Sequence, residues 1–356
     1  MTNTTTSPDA PFIRRILIVV AIGAVVLAVW ALSDVLLLLF GSVLFAVMLR
    51  AIADPLARSL GIGDRWALAL AGLLVIGVLA AGVWFLGPEL ARQMRGVFDR
   101  LPAAFARIAE ALQLGSFADL FKGSGTASSL GSLATRIFAW STSVLGALAS
   151  LGLVIFGGIY LAVDPKLYRK GFVKLVPPAL HPNVDMALDD IGDGLRRWLT
   201  GQIMAMALVG GLTGVGLWLA GVPSPFALGF IAGLAEFVPI IGPILAAVPT
   251  LLIASGQSWE TVLLAIGVLV VVQQLESNLI TPLIADKMVS VAPAVGLFAV
   301  VAMGVLLGPL GLLFGFPLAV ALDVAVRRLY VHDTLGEAVE IGGEPAKPTP
   351  MRKSKA

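Results

Sequence analysis

The sequence predicts an all-α, polytopic integral membrane protein. Of its 356 residues, 58% are hydrophobic and only 13% are charged, whereas soluble domains carry about 25% charged residues. The charged residues lie between long uncharged runs, several of which approach the roughly 20 residues that a helix needs to cross a bilayer. Two of these runs are too long for one helix and contain internal Pro and Gly residues. We therefore expect about eight hydrophobic segments, two of them interrupted or re-entrant at Pro/Gly breaks.

Composition also limits the chemistry available to the chain. There is no cysteine, which excludes disulfide scaffolds, thiolate metal sites and cysteine nucleophiles. The two histidines, His181 and His332, lie outside the uncharged runs. The net charge is +2, and the basic residues cluster at the ends of apolar runs, which is not the pattern of a nucleic-acid-binding surface. We expect no cofactor, no metal site and no nucleic-acid partner.

The uncharged runs differ in length. Ile137–Val163 is the clearest single span, whereas Trp198–Ala235 and Met288–Leu322 are too long for one helix and contain Gly and Pro where a chain turns or breaks. The eight runs are Ile16–Ser33, Val35–Leu49, Trp66–Pro88, Ile137–Val163, Trp198–Ala235, Phe237–Trp259, Thr261–Leu275 and Met288–Leu322.

Basic residues set the expected orientation. If the N-terminus is cytoplasmic, most of the 24 Lys and Arg fall on the inner side, so we expect both termini in the cytoplasm and the chain in the cell inner (plasma) membrane. Arg14 and Arg15 also resemble a secretory or twin-arginine signal, but Asp34 and a second apolar run follow at once, which favours a helical hairpin. The expected organisation is a cytoplasmic N-terminal tail at 1–15, three membrane segments at 16–88, an amphipathic extramembrane region at 89–136, a membrane segment at 137–163, a cytoplasmic interfacial amphipathic helix at 164–200, a membrane core with two interrupted segments at 201–329 and a disordered cytoplasmic tail at 330–356.

Two segments are amphipathic rather than uniformly apolar. In Glu89–Arg136 apolar residues recur at helical spacing between charged ones, which is typical of either a gating or partner-binding cap or a solvated helical connector. Asp164–Arg197 has an acidic face opposite an apolar one, so we expect it at the cytoplasmic interface with Trp198 near headgroup level. Asp323 lies four residues before Arg327, and we expect the two to form a helical ion pair.

Sequence signatures of enzymes are missing. There is no Gly-Lys-Ser or Gly-Lys-Thr for a phosphate-binding loop. A serine protease within the bilayer requires a buried serine and histidine, and neither histidine is placed for that role. An intramembrane aspartyl pair is also missing from the sequence. We therefore expect that the protein is not an enzyme.

Breaks in the apolar pattern concentrate after residue 200. Proline removes a backbone donor and frees a carbonyl, so a break at this depth must face protein or a water-filled cavity rather than lipid. The spacing from Pro225 to Pro249 recurs from Pro293 to Pro317, which indicates a weak internal repeat offset by 68 residues. Paired interrupted segments of this kind indicate transporter binding sites. The residues expected at the breaks are Pro239, Gly242, Pro243, Pro282, Gly308, Pro309, Gly311 and Pro317.

Polar residues beside the breaks are the candidates for a solute or ion path. Glu236 is the only acidic residue between Arg197 and Glu260, and a carboxylate there is costly unless it is hydrated, protonated or bound to a cation. The alternatives are interfacial helix ends for the acidic and amide residues, and helix packing for Gln202. The candidate path residues are Glu236, Gln202, Gln273, Gln274, Glu276 and Asn278.

Several of these residues carry a family resemblance. Gly201-Gln202 at the start of a span, Glu236-Phe-Val-Pro-Ile-Ile-Gly-Pro243, Gln274-Leu-Glu-Ser-Asn278 with Pro282, and the closing Gly304, Gly308, Gly311 and Pro317 resemble the autoinducer-2 exporter family of permeases. The resemblance covers roughly residues 12 to 330. Two positions depart from the family pattern: Ile240 stands where a tyrosine is frequent, and Val291-Ala292 precede Pro293 where a histidine is common.

The resemblance implies an inner-membrane transporter that forms a homo-oligomer and has no ATPase of its own. Family members are associated with export of the quorum-sensing signal autoinducer-2, and some with sodium/proton exchange. We expect a secondary transporter, a permease or exporter, of a small polar solute or signalling molecule such as autoinducer-2, coupled to protons or sodium, with its transport site in 201–329. The alternatives are a sodium/proton antiporter and an uncoupled oligomeric channel or membrane scaffold.

Overall fold

The computed structural model describes residues 26–111, 149–282 and 292–333, together with 19, 20, 23, 24 and 335. This part of the chain is helical and contains no strand. Its α-helices are α1 (Ser33–Leu60), α2 (Asp64–Ala111), α3 (Ala149–Val163), α4 (Pro165–Val173), α5 (His181–Leu219), α6 (Pro225–Ala235), α7 (Ile241–Ser255), α8 (Trp259–Leu275) and α9 (Pro293–Ala325). Short π-helical segments, Glu276–Ile280 and Val326–His332, extend α8 and α9.

The helix lengths confirm an all-α polytopic membrane protein. Within the described residues, five helices are long and apolar enough to cross a bilayer, and α3 with α4 forms a further candidate bent by 91°. Helices α6 and α7 are apolar but shorter. The expected total of about eight segments stays a prediction, because residues 1–18, 112–148 and 283–291 lie outside the described part.

Several boundaries differ from the uncharged runs. Helix α2 continues through Pro88 into the predicted amphipathic region, of which 112–136 lies outside the described residues. Helix α5 joins the predicted interfacial helix to the following span without a break. At about 1.5 Å per residue, its 39 residues exceed the thickness of a bilayer core, so α5 extends beyond the membrane. Both tails, at 1–15 and from 336 onward, lie outside the described residues.

Helices α6 and α7 form the first interrupted segment, a helical hairpin. They run antiparallel: Leu228 near the start of α6 shares a hydrophobic cluster with Ile253 near the end of α7, whereas Gly242 contacts the Ala235 carbonyl at the other end. Residues 236–240 form the break, as the sequence predicts. A β-carbon at Gly242 would overlap the backbone of α6, so the glycine permits the two arms to meet.

Helix α9 forms the second interrupted segment and also folds back on itself. Gly308 has non-helical angles (φ 66°, ψ −148°), and the residues on either side of it pair in antiparallel order. Gly296 faces Phe316, Val300 faces Gly315, and Met303 contacts Gly311. Pro309 begins the returning arm. Although α9 is long enough to span the bilayer if straight, its backbone therefore makes a second hairpin.

The long helix α5 holds the first hairpin by close backbone contact. Gly210 and Gly214 on α5 face Gly229 and Gly233 on α6, and a β-carbon at Gly229 would lie 2.5 Å from the Gly210 carbonyl oxygen. Small residues spaced four apart allow helices in a membrane to approach closely. The first hairpin is thus fixed along its α6 arm.

Aromatic packing joins α5 to the tip of the first hairpin and to the returning arm of the second. Trp198 on α5 is fully buried, stacks on Phe316 of the second hairpin with ring centroids 5.8 Å apart, and meets Phe237 of the first hairpin edge-on at 5.7 Å. The indole of Trp198 is enclosed by protein, and its expected position near headgroup level stays a prediction.

Ion pairs tie the polar helix ends together. Arg196 on α5 binds Asp54 on α1 at 2.8 Å, and Arg50 on α1 donates to the Ala162 carbonyl at the end of α3 at 2.7 Å. The predicted pair between Asp323 and Arg327 is confirmed at 2.8 Å.

Candidate functional site

Glu236 lies at the tip of the first hairpin. It is the residue that follows α6, and its amide still donates to the Ala232 carbonyl at 3.0 Å. The chain then turns sharply: the Ile241 amide donates to the Pro239 carbonyl at 2.9 Å, and Ile240 between them has φ 73° and ψ −47°. These angles define a γ-turn, a rare and strained conformation. Glu236 is 2% exposed, so the break buries a carboxyl group.

Glu276 lies opposite Glu236 and is held by α8. Its carboxyl group interacts with that of Glu236, and both line the same cavity. Gln273, one turn earlier, donates from Nε2 to Glu276 Oε2 at 2.8 Å. At Glu276 the helix changes from α to π geometry. Such local π-helical turns often occur at functional sites.

A cavity of about 310 Å³ contains this carboxyl pair. It is bounded by α5, both arms of the first hairpin and α8. Its polar lining consists of Thr213, Glu236, Gln273 and Glu276, and the remaining lining residues are apolar, Val209, Ala232, Pro243, Ile244, Ala246, Ala247, Leu269, Val270 and Val272. Among the described residues, the second hairpin contributes nothing to this lining.

The chemistry of the cavity follows from its charges. Two neighbouring carboxylates repel each other when both are ionised, so a proton held by either one relieves the repulsion. Glu236 Oε2 is buried and has no hydrogen-bond partner, and none of the lining residues is basic. A proton, a monovalent cation or the hydroxyl group of a solute can supply the missing positive charge or donor.

Gln202 does not line the cavity. Its side chain is 4% exposed, and Nε2 donates to the backbone carbonyl oxygen of Glu236 at 2.5 Å. It therefore contacts the backbone of the hairpin tip rather than the carboxyl group. This contact is a backbone interaction that spacing along the sequence does not indicate.

The cluster from Gln273 to Asn278 divides into two faces of α8. Gln273 and Glu276 face the cavity. Gln274 and Asn278 are exposed, and Asn278 Nδ2 donates to the Gln274 carbonyl at 2.9 Å and to its side-chain oxygen at 3.1 Å. Helical spacing accounts for the division, because residues one apart point in different directions.

The break residues have distinct positions. Pro239 lies within the γ-turn, and Pro243 lies in the first turn of α7 and lines the cavity. Pro317 lies inside the returning arm of α9, and Pro282 is the last described residue before the gap at 283–291. Gly242, Gly308, Pro309 and Gly311 lie at or beside the two hairpin turns.

Two functional candidates escaped the sequence analysis. Thr213 lies in the uncharged α5 segment, is 1% exposed and lines the cavity two to three turns after Gln202. Trp198 lies about one helical turn before Gln202, and both contact the tip of the first hairpin. The spacing of four residues is the only signal in the sequence that places them on one face.

The fold and the site define a multi-pass helical membrane protein whose broken hairpin encloses a buried acidic cavity, the architecture of a membrane transport protein. Comparison with known proteins agrees with this class. The profile of the AI-2E family transporter matches residues 16–330. The chain belongs to this family.

Individual relatives cover different shares of the chain. "Putative transport protein YueF" of Bacillus subtilis (strain 168) is 28% identical over 298 residues, which cover 78% of this chain and 81% of YueF. "Putative transport protein YrrI" of the same organism is 31% identical over 165 residues, 46% of this chain and 47% of YrrI. "Putative transport protein MT0215" of Mycobacterium tuberculosis (strain CDC 1551 / Oshkosh) is 31% identical over 134 residues, 37% of this chain and 36% of that protein. The match thus spans about half the length of YrrI and most of YueF.

Proposed function

We propose that the protein is a secondary permease or exporter of a small polar solute or signalling molecule such as autoinducer-2, and that its transport is coupled to protons or sodium. The observation that carries this proposal is the Glu236–Glu276 pair, in which Glu236 is buried and Glu276 half-buried, in a cavity at a helix break with no basic residue in its lining. We further propose that it works as a homo-oligomer in the inner membrane, has both termini in the cytoplasm and is not an enzyme.

The coupling follows from charge balance. With one proton in the pair, the site carries about one negative charge, and the loss of that proton leaves two carboxylates in contact. Two neighbouring carboxylates repel each other strongly in a medium of low dielectric constant. Release of the proton is therefore favourable only when a cation replaces it or when the cavity fills with water. An exchange of this kind links the occupancy of the site to an ion gradient.

The cavity also limits the solute. About 310 Å³ is at the small end of the roughly 300–1,000 Å³ range for ligand pockets. Glu236 Oε2 accepts a hydroxyl hydrogen, while Gln273 and Thr213 offer both donors and acceptors. These groups fit a compact polyhydroxylated solute better than a large apolar one.

The two hairpins suggest how access alternates. Helix α8 with its π-helical extension, Trp259–Ile280, is long enough to cross the bilayer once. If it does, the first hairpin enters from one face of the membrane and the second from the other, as in transporters built from inverted repeats. Trp198, which contacts both hairpins, is then the contact through which movement of one reaches the other.

The Glu236–Glu276 pair also favours one alternative, a sodium/proton antiporter in which the cation itself is the cargo. Proteoliposomes separate the possibilities. Accumulation of autoinducer-2 against its gradient when a proton or sodium gradient is imposed supports the proposal. Sodium/proton exchange without solute movement supports the antiporter. Purely downhill flux, unaffected by either ion, supports an uncoupled channel and contradicts the proposal.

A further inference from the structure

The carbonyl group of Glu236 is the feature from which this inference starts. The last carbonyl groups of an α-helix have no partner within the helix, and a buried carbonyl without a donor destabilises the folded protein. The break after α6 creates this situation at Glu236. Gln202 resolves it, because its Nε2 donates to the Glu236 oxygen at 2.5 Å.

This hydrogen bond joins two elements far apart in sequence. Gln202 belongs to α5, and Glu236 ends the first arm of the hairpin. Both residues are almost completely buried. One turn earlier on α5, Trp198 packs against Phe237, the residue after Glu236. Helix α5 thus contacts two consecutive residues of the tip, one by a hydrogen bond and one by an aromatic contact.

We propose that Gln202 is a positioning residue. It holds the backbone of Glu236 in the position from which the Glu236 carboxyl group reaches that of Glu276. Gln202 touches neither carboxyl group and does not line the cavity, so it acts through the backbone. The proposal rests on the proposed function for its consequence in transport. The position of Glu236 relative to Glu276 can be measured independently of transport.

The length and chemistry of the side chain fit this role. Glutamine presents an N–H donor at the end of two methylene groups and remains neutral, so it places no charge beside the carboxyl pair. Methionine has a similar length but no donor. A glutamate at 202 restores a donor whenever its carboxyl group is protonated.

The absence of natural cysteine allows the placement to be measured directly. In the variant Glu236→Cys/Glu276→Cys, the rate of crosslinking by a short bifunctional thiol reagent reports how often the two β-carbons come within reach of each other; a bridging reagent is used because a direct disulfide requires β-carbons about 4 Å apart. A second pair, Gly214→Cys/Phe226→Cys, is the matched control. It joins α5 to the start of the same hairpin, where a β-carbon at 214 would lie 3.7 Å from the Phe226 α-carbon.

We expect Gln202→Met to slow crosslinking of the 236/276 pair about fivefold, the effect of losing one buried hydrogen bond, and to leave the 214/226 pair unchanged. Gln202→Glu should restore the 236/276 rate at pH 5. An unchanged 236/276 rate in Gln202→Met overturns the proposal. If Gln202→Met slows both pairs, Gln202→Glu decides: restoration of the 236/276 rate at pH 5 supports the proposal, and failure to restore it contradicts it.

A transport measurement separates this inference from the proposed function. With Glu236 and Glu276 intact, Gln202→Met should lower gradient-driven accumulation of autoinducer-2 in proteoliposomes, and Gln202→Glu should recover it at low pH. If the unmodified protein transports nothing, the proposed function fails while the crosslinking result still decides whether Gln202 positions the tip.

Discussion

Ile240 and Gly308 occupy the same place in two helical hairpins, 68 residues apart in the sequence. Each has a positive φ, 73° at Ile240 and 66° at Gly308, and each lies at the turn between two antiparallel arms. The same offset relates Pro225 to Pro293 at the hairpin starts. The weak proline repeat in the sequence therefore corresponds to a structural repeat.

The turn at Gly308 predicts a cost for any side chain there. Its angles are accessible essentially to glycine alone, so Gly308→Ala should lower the stability of the protein by about 1–3 kcal/mol. No atom lies within 4 Å of the added β-carbon, so the cost comes from the backbone. Gly267→Ala is the control, because that glycine is equally open but lies in regular helix α8. Equal thermal unfolding midpoints for the two variants would contradict the assigned turn.

The turn at Ile240 predicts the opposite effect. A β-branched residue in a γ-turn stores about 1–3 kcal/mol of strain, while glycine adds about 0.5–1 kcal/mol of chain entropy to the unfolded state. Ile240 is 50% exposed, so little buried surface is lost. Ile240→Gly should therefore raise stability by about 1 kcal/mol.

The matched control for Ile240→Gly is Val248→Gly. Val248 is 55% exposed and lies within α7, where glycine should lower stability by about 1 kcal/mol. Both variants are compared by thermal unfolding in the same detergent. A lower thermal unfolding midpoint for Ile240→Gly than for the unmodified protein would show that the backbone at Ile240 is not strained.

Hairpin topology predicts which side of the membrane the segment after α8 faces. If both interrupted segments are hairpins and the N-terminus is cytoplasmic, one crossing by α8 brings Lys287 and Ser290 to the cytoplasmic side. Both residues lie outside the described part of the chain. A single cysteine at Ser290 should therefore resist a membrane-impermeant thiol reagent added to intact cells. Labelling from the periplasm would contradict the hairpin topology.

The two faces of α8 predict different effects on transport. Gln273→Leu removes the donor that holds Glu276 and places an apolar side chain in the cavity, so gradient-driven transport should fall at least about tenfold. Asn278→Leu changes the opposite, exposed face and should leave transport within about twofold at equal membrane abundance. Equal losses in both variants would instead support the path along Gln274 and Asn278 that the sequence suggested.

Much of the fold is readable from the sequence because hydrophobic length and proline spacing report directly on local structure. Pro239 and Gly308 mark both turns, and Glu236 is identified by its isolation among apolar residues. The boundaries are less accessible. The expected segments were bounded at charged residues. Helix α5 instead runs from His181 to Leu219, because a helix that leaves the membrane can contain charged residues.

The site is only partly readable, because pairing between distant helices leaves no local pattern. Glu236 and Glu276 were separate candidates, and nothing in their spacing indicates that they meet. Gln202 was expected along the path, but its partner is a backbone oxygen. The contacts of Trp198 with Phe237 and Phe316 also leave no pattern in the sequence, because they join residues from distant segments.

The central claim is that the Glu236–Glu276 pair in the cavity couples transport to an ion gradient, and the most direct test is solute accumulation by Glu236→Gln in proteoliposomes with imposed proton or sodium gradients. Glu260→Gln is the control, since Glu260 is exposed in the first turn of α8 and lies outside the cavity. The account predicts that Glu236→Gln folds and assembles, keeps some downhill flux of autoinducer-2 and loses gradient-driven accumulation, whereas Glu260→Gln retains both. Unchanged gradient-driven accumulation in Glu236→Gln would contradict the claim and remove Glu236 from the mechanism.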